Sequence, residues 1–342
     1  MTRSDPLTAA PLTAPLAALR APMRRSIAEL EHSEIGEVWR MGFEHPDVIP
    51  LWVGEGNVPT PMTFSRAAIK ALEAGETFYS QKRGLPDLIA ALGDYMGRIY
   101  GVPVAPERIT VTNSGMQAIM LALQTIIAPG NSVVVVTPVW PNIFAAVKVV
   151  GGTVRQVPLT AEHHHYRLEL DRLFAACDET TRAIFIATPG NPTGWLMNAE
   201  DQRAVVEFCR KRGIWFIADE VYARFVYDRP VAPTVLAVSK PDDPILVINS
   251  FSKTWAMTGW RQGWITAPAA LGEVFDNLIE YNTSGGQAFL QRGCIAAIRE
   301  GEPFIAESLD RARAARDVVM QRLGAMRRVA LIEPEAAFFA FF

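Results

Sequence analysis

A chain of 342 residues with 49% hydrophobic and 20% charged side chains can bury a large core, and it lies near the length at which chains divide into more than one domain. A formal net charge of −3 gives no electrostatic footing for nucleic acid or anionic lipid, and no apolar run approaches the roughly 20 residues of a membrane span. Three cysteines (Cys177, Cys209 and Cys294), widely spaced and odd in number, point to reduced thiols and a cytoplasmic setting.

In chain order, residues 1 to about 25 are rich in Ala, Pro and Thr, carry Arg20, Arg24 and Arg25, and lack the apolar stretch of a secretory signal. They read as a flexible arm, with a transit peptide left open. From about 51 to 285 apolar runs alternate with helical patterns. Ile109-Thr110-Val111-Thr112 leads into Asn113-Ser114-Gly115-Met116 and then a helical pattern (Ile119, Met120, Ala122, Leu123, Ile126). Val133-Val134-Val135-Val136 leads into Thr137-Pro138-Val139-Trp140. The run His163-His164-His165 has no cysteines beside it and reads as a solvated loop rather than a metal site.

Ala183-Ile184-Phe185-Ile186-Ala187 is followed by Asn191-Pro192-Thr193-Gly194, and Ile214-Trp215-Phe216-Ile217-Ala218 by Asp219-Glu220-Val221-Tyr222. Ile245-Leu246-Val247-Ile248 is followed by Ser250-Phe251-Ser252-Lys253. Helical patterns near 200–213 and 267–281 separate and follow these runs; Gly285-Gly286 reads as a hinge, 288–299 and 303–323 as two further helices, and Ala336 to Phe342 as a strand-like end. Such alternation means a mainly parallel sheet with helices on both faces, an α/β fold. Five strand-like runs thus deliver polar or aromatic residues at their carboxyl ends, where ligands bind in open α/β sheets.

The chain has six lysines (Lys70, Lys82, Lys148, Lys211, Lys240 and Lys253). Lys253 follows a buried strand, where desolvation lowers the pKa and frees the neutral amine. With Ser250, Ser252 and Arg261 it offers an amine, two hydroxyls and a guanidinium within twelve residues, enough to hold an aldehyde as a Schiff base and a phosphate by its oxygens. Pyridoxal 5'-phosphate has both groups. Alone, each motif has a plainer reading: a surface lysine, a helix N-cap for Asp219, a turn for Asn-Pro-Thr-Gly, a packed aromatic for Tyr222.

Together the motifs are specific. Asp219 lies 28 residues after Asn191, Lys253 lies 34 after Asp219, and Arg261 eight after Lys253. From about Leu51 to its last residue the chain resembles a fold-type I pyridoxal phosphate enzyme of the class I/II aminotransferase family. The resemblance implies a mainly parallel seven-stranded sheet with a smaller α/β domain. It divides the chain into an arm and part of the small domain (1–50, with a helix from about 26), a large cofactor-binding domain (51–285) and a C-terminal small domain (286–342).

It also implies roles. Lys253 forms the Schiff base and then moves a proton between substrate and cofactor; Asp219 pairs with the pyridine nitrogen; Asn191 and Tyr222 donate to the phenolic oxygen. Ser114, Gly115, Met116, Ser250, Ser252 and Arg261 form the phosphate cup. Trp140 stacks on the ring, unless it is a core tryptophan. Tyr79 reaches the phosphate of a neighbouring subunit in a homodimer with shared active sites, unless it is simply an exposed loop aromatic. Gly54, with Asn191 and Trp140, borders the substrate, although Gly56 and Asn57 depart from the family's usual Gly-Glu-Pro-Asp.

The expected reaction moves an amino group from an amino acid to a 2-oxo acid. A C–S lyase, racemase or related lyase on the same cofactor is the alternative. A third reading, a sensor domain fused to a DNA-binding module, finds no helix-turn-helix pattern in the roughly 50 residues before the core. Family members usually continue past the segment matching Ala336-Ala337-Phe338-Phe339 and carry there an arginine for the substrate carboxylate. The last arginines here are Arg327 and Arg328, so a shortened chain or another carboxylate contact is expected. Trp52, Trp195, Trp255 and Trp260 lie near the motifs and suggest an apolar or aromatic amino acid, unless they are simply buried tryptophans.

Overall fold

The computed structural model describes residues 23–45, 47–162 and 164–342; most of the expected N-terminal arm, and His163, lie outside these. Packing divides the chain between Trp52 and Val53 into two compact units. The first contains helices α1 (Arg25–Ala28) and α2 (Glu34–Glu44). Ser33 starts α2 by accepting the Gly36 N–H at 3.2 Å, and Glu34 and Glu37 in the first turn suit its positive end. Trp52 packs on Gly42 within this unit.

The second unit is built on β1 (Ile109–Thr112), β2 (Ser132–Thr137), β3 (Thr153–Pro158), the hairpin β4 (Thr160–Glu162) and β5 (His165–Arg167), β6 (Thr181–Ala187), β7 (Trp215–Asp219), β8 (Ile245–Ser250) and β9 (Gly263–Thr266). Its helices are α3 (Met62–Glu73), α4 (Pro86–Tyr100), α5 (Gly115–Ile126), α6 (Asn142–Val149), α7 (Leu170–Ala175), α8 (Ala199–Arg212), α9 (Phe251–Thr254), α10 (Gly272–Asn282), α11 (Ala288–Glu300) and α12 (Glu302–Gly324).

Seven strands form one sheet in the order β1-β9-β8-β7-β6-β2-β3. All neighbours are parallel except that β9 runs antiparallel to both β8 and β1. Two reversals cancel, so β1 points the same way as β2, β6, β7 and β8. The carboxyl ends of all five predicted runs therefore lie on one edge of the sheet, and β9 begins there.

Continuous apolar runs become strands here because both faces are covered, as parallel sheets require. Alternate residues along β2, β6, β7 and β8 enter opposite cores. Val134, Ile184, Phe216 and Val247 join a core built with Leu92 and Met96 of α4, Val205 of α8 and Cys294 of α11. Val133, Phe185, Ile217 and Leu246 join the other, with Leu121 of α5, Ile143 of α6 and Phe275 of α10. The three cysteines are buried and unbonded.

Several expectations change. Ala336 to Phe342 is not a strand; one antiparallel bridge, Val226 to Ala336, is its only ladder pairing among the described residues. His165 belongs to the β4–β5 hairpin, and His164 turns it at φ 69°. Gly285 and Gly286, read as a hinge, are fastened: Ser80 Oγ donates to the Gly286 carbonyl at 3.0 Å and Asn113 Nδ2 to that of Gly285 at 3.2 Å. Trp195 and Trp255 are core residues, 5% and 1% exposed, and Trp260 Nε1 donates to Thr60 Oγ1. Nothing long and apolar enough to cross a membrane occurs among the described helices.

Candidate active site

β8 ends at Ser250, whose hydroxyl accepts the Ser252 N–H at 3.1 Å and starts the single turn α9. Phe251 is fully buried against Trp255 and Trp264, with ring centroids 5.0 and 5.2 Å away. Anchored so, the turn turns Lys253 toward the sheet edge. Its Nζ donates to the Gly54 carbonyl and stands 5.9 Å from the Tyr222 ring centroid. Burial pushes the Lys253 pKa down; Arg261 adds to this, while Glu55 and Asp219 oppose it. An amine easily made neutral is what nucleophilic attack on a carbonyl needs.

Asp219 closes β7, the strand beside β8, in register with Ile248. Burial raises its pKa to about 6, against the Val221 N–H that donates to Oδ1 at 3.2 Å and the charge of Lys253. No helix follows: residues 221–224 form turns, so Asp219 is not a helix N-cap and Tyr222 is not on a helix. Tyr222 is buried and its hydroxyl makes no hydrogen bond. Burial, then Asp219, push its pKa up; Asn191, which lies beside it without meeting Oη in hydrogen-bonding geometry, opposes them. Lys253, Gly54, Asp219, Asn191 and Tyr222 are thus gathered at one place from four separate segments.

The cup residues also converge. Ser114 caps α5 with its own hydroxyl, accepting the Gln117 N–H at 3.1 Å, so what α5 offers a ligand is the free amides of Gly115 and Met116. Ser250 Oγ donates to Ser252 Oγ at 2.9 Å and lies 3.1 Å from the Gln262 carbonyl. Arg261 is exposed, with φ 53°, and donates to the Thr258 carbonyl at 2.6 Å.

A residue that the sequence reading passed over holds this cup together. A Cβ on Gly263 would lie 2.7 Å from Gly115 N, 2.8 Å from Ser114 C and 2.8 Å from Asn249 O, all of them backbone atoms. A glycine opening a strand beside Arg261 was the available signal. Gly263→Ala is expected to displace the α5 amides, costing about 1–3 kcal/mol of stability and weakening phosphate affinity. Thermal unfolding and cofactor titration check this, and two unchanged values would remove Gly263 from the cup.

Two predicted residues, Trp140 and Tyr79, are aromatic. Trp140 is partly buried and packs against the core on the α5 side of the sheet. Tyr79 is 93% exposed beside Phe78 at 86%. Two further aromatics were missed: Phe338 and Phe339 meet Tyr222 edge-on, with ring centroids 5.3 and 5.5 Å away.

Pyridoxal phosphate fits what is present. The buried, unpartnered Tyr222 hydroxyl is a donor without an acceptor, Asp219 is a carboxylate that burial disfavours without a cation, and the free α5 amides suit a dianion. The sequence model of the family "Aminotransferase class I and II" matches residues 46–342. An aspartate aminotransferase of Thermotoga maritima is 31% identical over 296 residues, covering 86% of this chain and 77% of that protein. An aromatic-amino-acid aminotransferase of Thermococcus litoralis is 30% identical over 312 residues, covering 90% and 80%. The solved aspartate aminotransferase of Thermus thermophilus with maleate superposes with a TM-score of 0.86 at 26% identity, over 93% of this chain and 84% of that one. The chain belongs to the class I and II aminotransferases, pyridoxal phosphate-dependent enzymes that move an amino group from an amino acid to a 2-oxo acid.

Proposed function

We propose that Lys253 is the amine that binds the cofactor's aldehyde covalently and then moves the proton at the substrate α-carbon. The observation that carries this reading is a lysine with a lowered pKa at the common carboxyl edge of five strands, acted on by Asp219 from the neighbouring strand. When bound, pyridoxal phosphate supplies an electron sink for the carbanion that proton removal leaves. Asp219 binds the pyridine nitrogen and keeps it protonated. Tyr222 and Asn191 donate to the phenolic oxygen, Trp140 covers the ring, and Ser114, Gly115, Met116, Ser250, Ser252 and Arg261 hold the phosphate. Gly54, Asn191 and Trp140 border the amino acid.

The large cofactor-binding domain spans 51–285, with 286–342 in a smaller one. The working unit is a homodimer in which Tyr79 reaches the partner's phosphate; its exposure supports this. Three unpaired cysteines support a reducing, cytoplasmic setting. Aspartate, for which several relatives are named, is the donor to test first beside apolar amino acids.

The test is the visible spectrum of the protein with pyridoxal phosphate, before and after amino acids are added without an oxo acid. Loss of the visible band with stoichiometric release of a 2-oxo acid is expected. A persisting band with accumulation of ammonia or thiol would make the protein a lyase instead, and the absence of any band would overturn the site.

A further inference from the structure

Residues 334–339 have almost no regular structure, yet they are stitched to the two motifs that frame the site. The Glu335 and Ala336 amides donate to the Gly194 carbonyl at 3.1 and 3.0 Å, at the end of Asn191-Pro192-Thr193-Gly194. The Ala337 amide donates to Phe225 O at 2.8 Å, and Tyr227 Oη donates to Ala337 O at 2.6 Å, just past Tyr222. Ala337 is fully buried at φ 59°, a left-handed conformation unfavourable for alanine. Such an outlier persists only where its surroundings hold it.

Its effect is on the next two side chains. Phe338 and Phe339 both turn edge-on to Tyr222, at interplanar angles of 77° and 76°, and Phe338 is further held by Phe225 at 5.1 Å. A Cβ built on Gly54 would lie 2.9 Å from Phe339 Cζ and 3.3 Å from Tyr222 Oη. The Phe339 ring tip therefore rests against the residue whose carbonyl accepts the hydrogen bond from Lys253 Nζ. Among the described residues, the charged groups acting on Lys253 are Glu55, Arg261 and Asp219. The one cation of the three, Arg261, lies among the residues of the phosphate cup.

We propose that Phe339, backed by Phe338, is a specificity-determining residue that selects amino acids with an apolar, above all aromatic, side chain. The inference rests on Lys253 being the reacting amine. It is tested on the cofactor-loaded protein by calorimetric binding of two unreactive carboxylates, 3-phenylpropanoate and succinate, to wild type, Phe339→Ala and Phe339→Leu.

Wild type is expected to prefer 3-phenylpropanoate, and Phe339→Ala to lower that preference about tenfold, the scale on which an apolar pocket discriminates. Phe339→Leu, closer in bulk, should keep part of it, and KM for L-phenylalanine should rise in the same order. Preference of the wild type for succinate, or equal loss of both ligands in Phe339→Ala, overturns the inference. Failure to form a visible cofactor band in wild type would sink the site reading and this inference with it; a normal band with an unchanged preference sinks the inference alone.

Discussion

Lys253→Ala is expected to lower transamination by at least about 10³-fold, because in the role proposed for it one substitution removes both the attacking amine and the proton-moving base. Cofactor binding should survive in weakened, noncovalent form through Asp219 and the α5 amides. Stability should change little, since a partly accessible lysine whose charge burial already disfavours contributes little to the fold. Borohydride reduction followed by mass measurement checks the assignment: wild type should retain the cofactor covalently and the variant should not. Covalent retention in the variant would move the role to another amine, and Lys240 and Lys211, the next lysines back along the chain, would be the ones to examine.

The fold was legible where residue pattern alone decides structure. Val133 to Val136 and Ile245 to Ile248 have no polar face, so they can only be strands covered on both sides. β3 was missed because it ends the sheet and its residues are mostly exposed or half-buried, leaving no continuous apolar run. β9 has only Gly263, Trp264, Ile265 and Thr266, and its reversed direction depends on pairing with β8 and β1, which no local pattern encodes. The strand expected after Ala336 failed for a local reason: Ala337 takes a left-handed conformation and ends the ladder after one bridge.

For the site, polar motifs at strand ends were legible because their spacing is set by the βα repeat, and the structure brings Asn191, Asp219, Tyr222 and Lys253 together. Aromatic residues were not. Four tryptophans near the motifs pointed to an apolar substrate, but nearness along the chain does not decide which way a ring faces. Trp195 and Trp255 face the core, and Trp52 packs on Gly42. The aromatics that meet Tyr222 are Phe338 and Phe339, 116 and 117 residues further on, brought in by hydrogen bonds to Gly194 and Phe225. Gly263 was hidden for a similar reason, since its neighbour Gly115 belongs to a different βα unit.

Asp219→Asn is expected to act in opposite directions on the cofactor-free protein and on the working enzyme. Burial raises the Asp219 pKa from 3.8 to about 6. A raised acid favours the fold fully below its unfolded pKa and loses that contribution as pH rises through the folded one. The cost of ionising Asp219 therefore grows between about pH 4 and 6 and is complete above. Two pKa units correspond to about 3 kcal/mol, and partial solvent access reduces this to about 1–3 kcal/mol. Asparagine keeps an oxygen for the Val221 amide but carries no charge. The cofactor-free variant should thus be the more stable protein at pH 8, by several degrees in Tm, and match wild type near pH 4. In the enzyme the same change removes the proposed partner of a protonated pyridine nitrogen, and activity should fall by about 10²–10³-fold. Unfolding at the two pH values and initial rates at pH 8 test both halves. Equal stability at pH 8 would mean that water or Lys253 already neutralises the cost. A stabilised variant with unimpaired activity would show that the carboxylate serves neither cofactor nor fold. Stabilisation with loss of activity would mean that the fold tolerates an unfavourable charge at the end of β7 because the cofactor's cation offsets it.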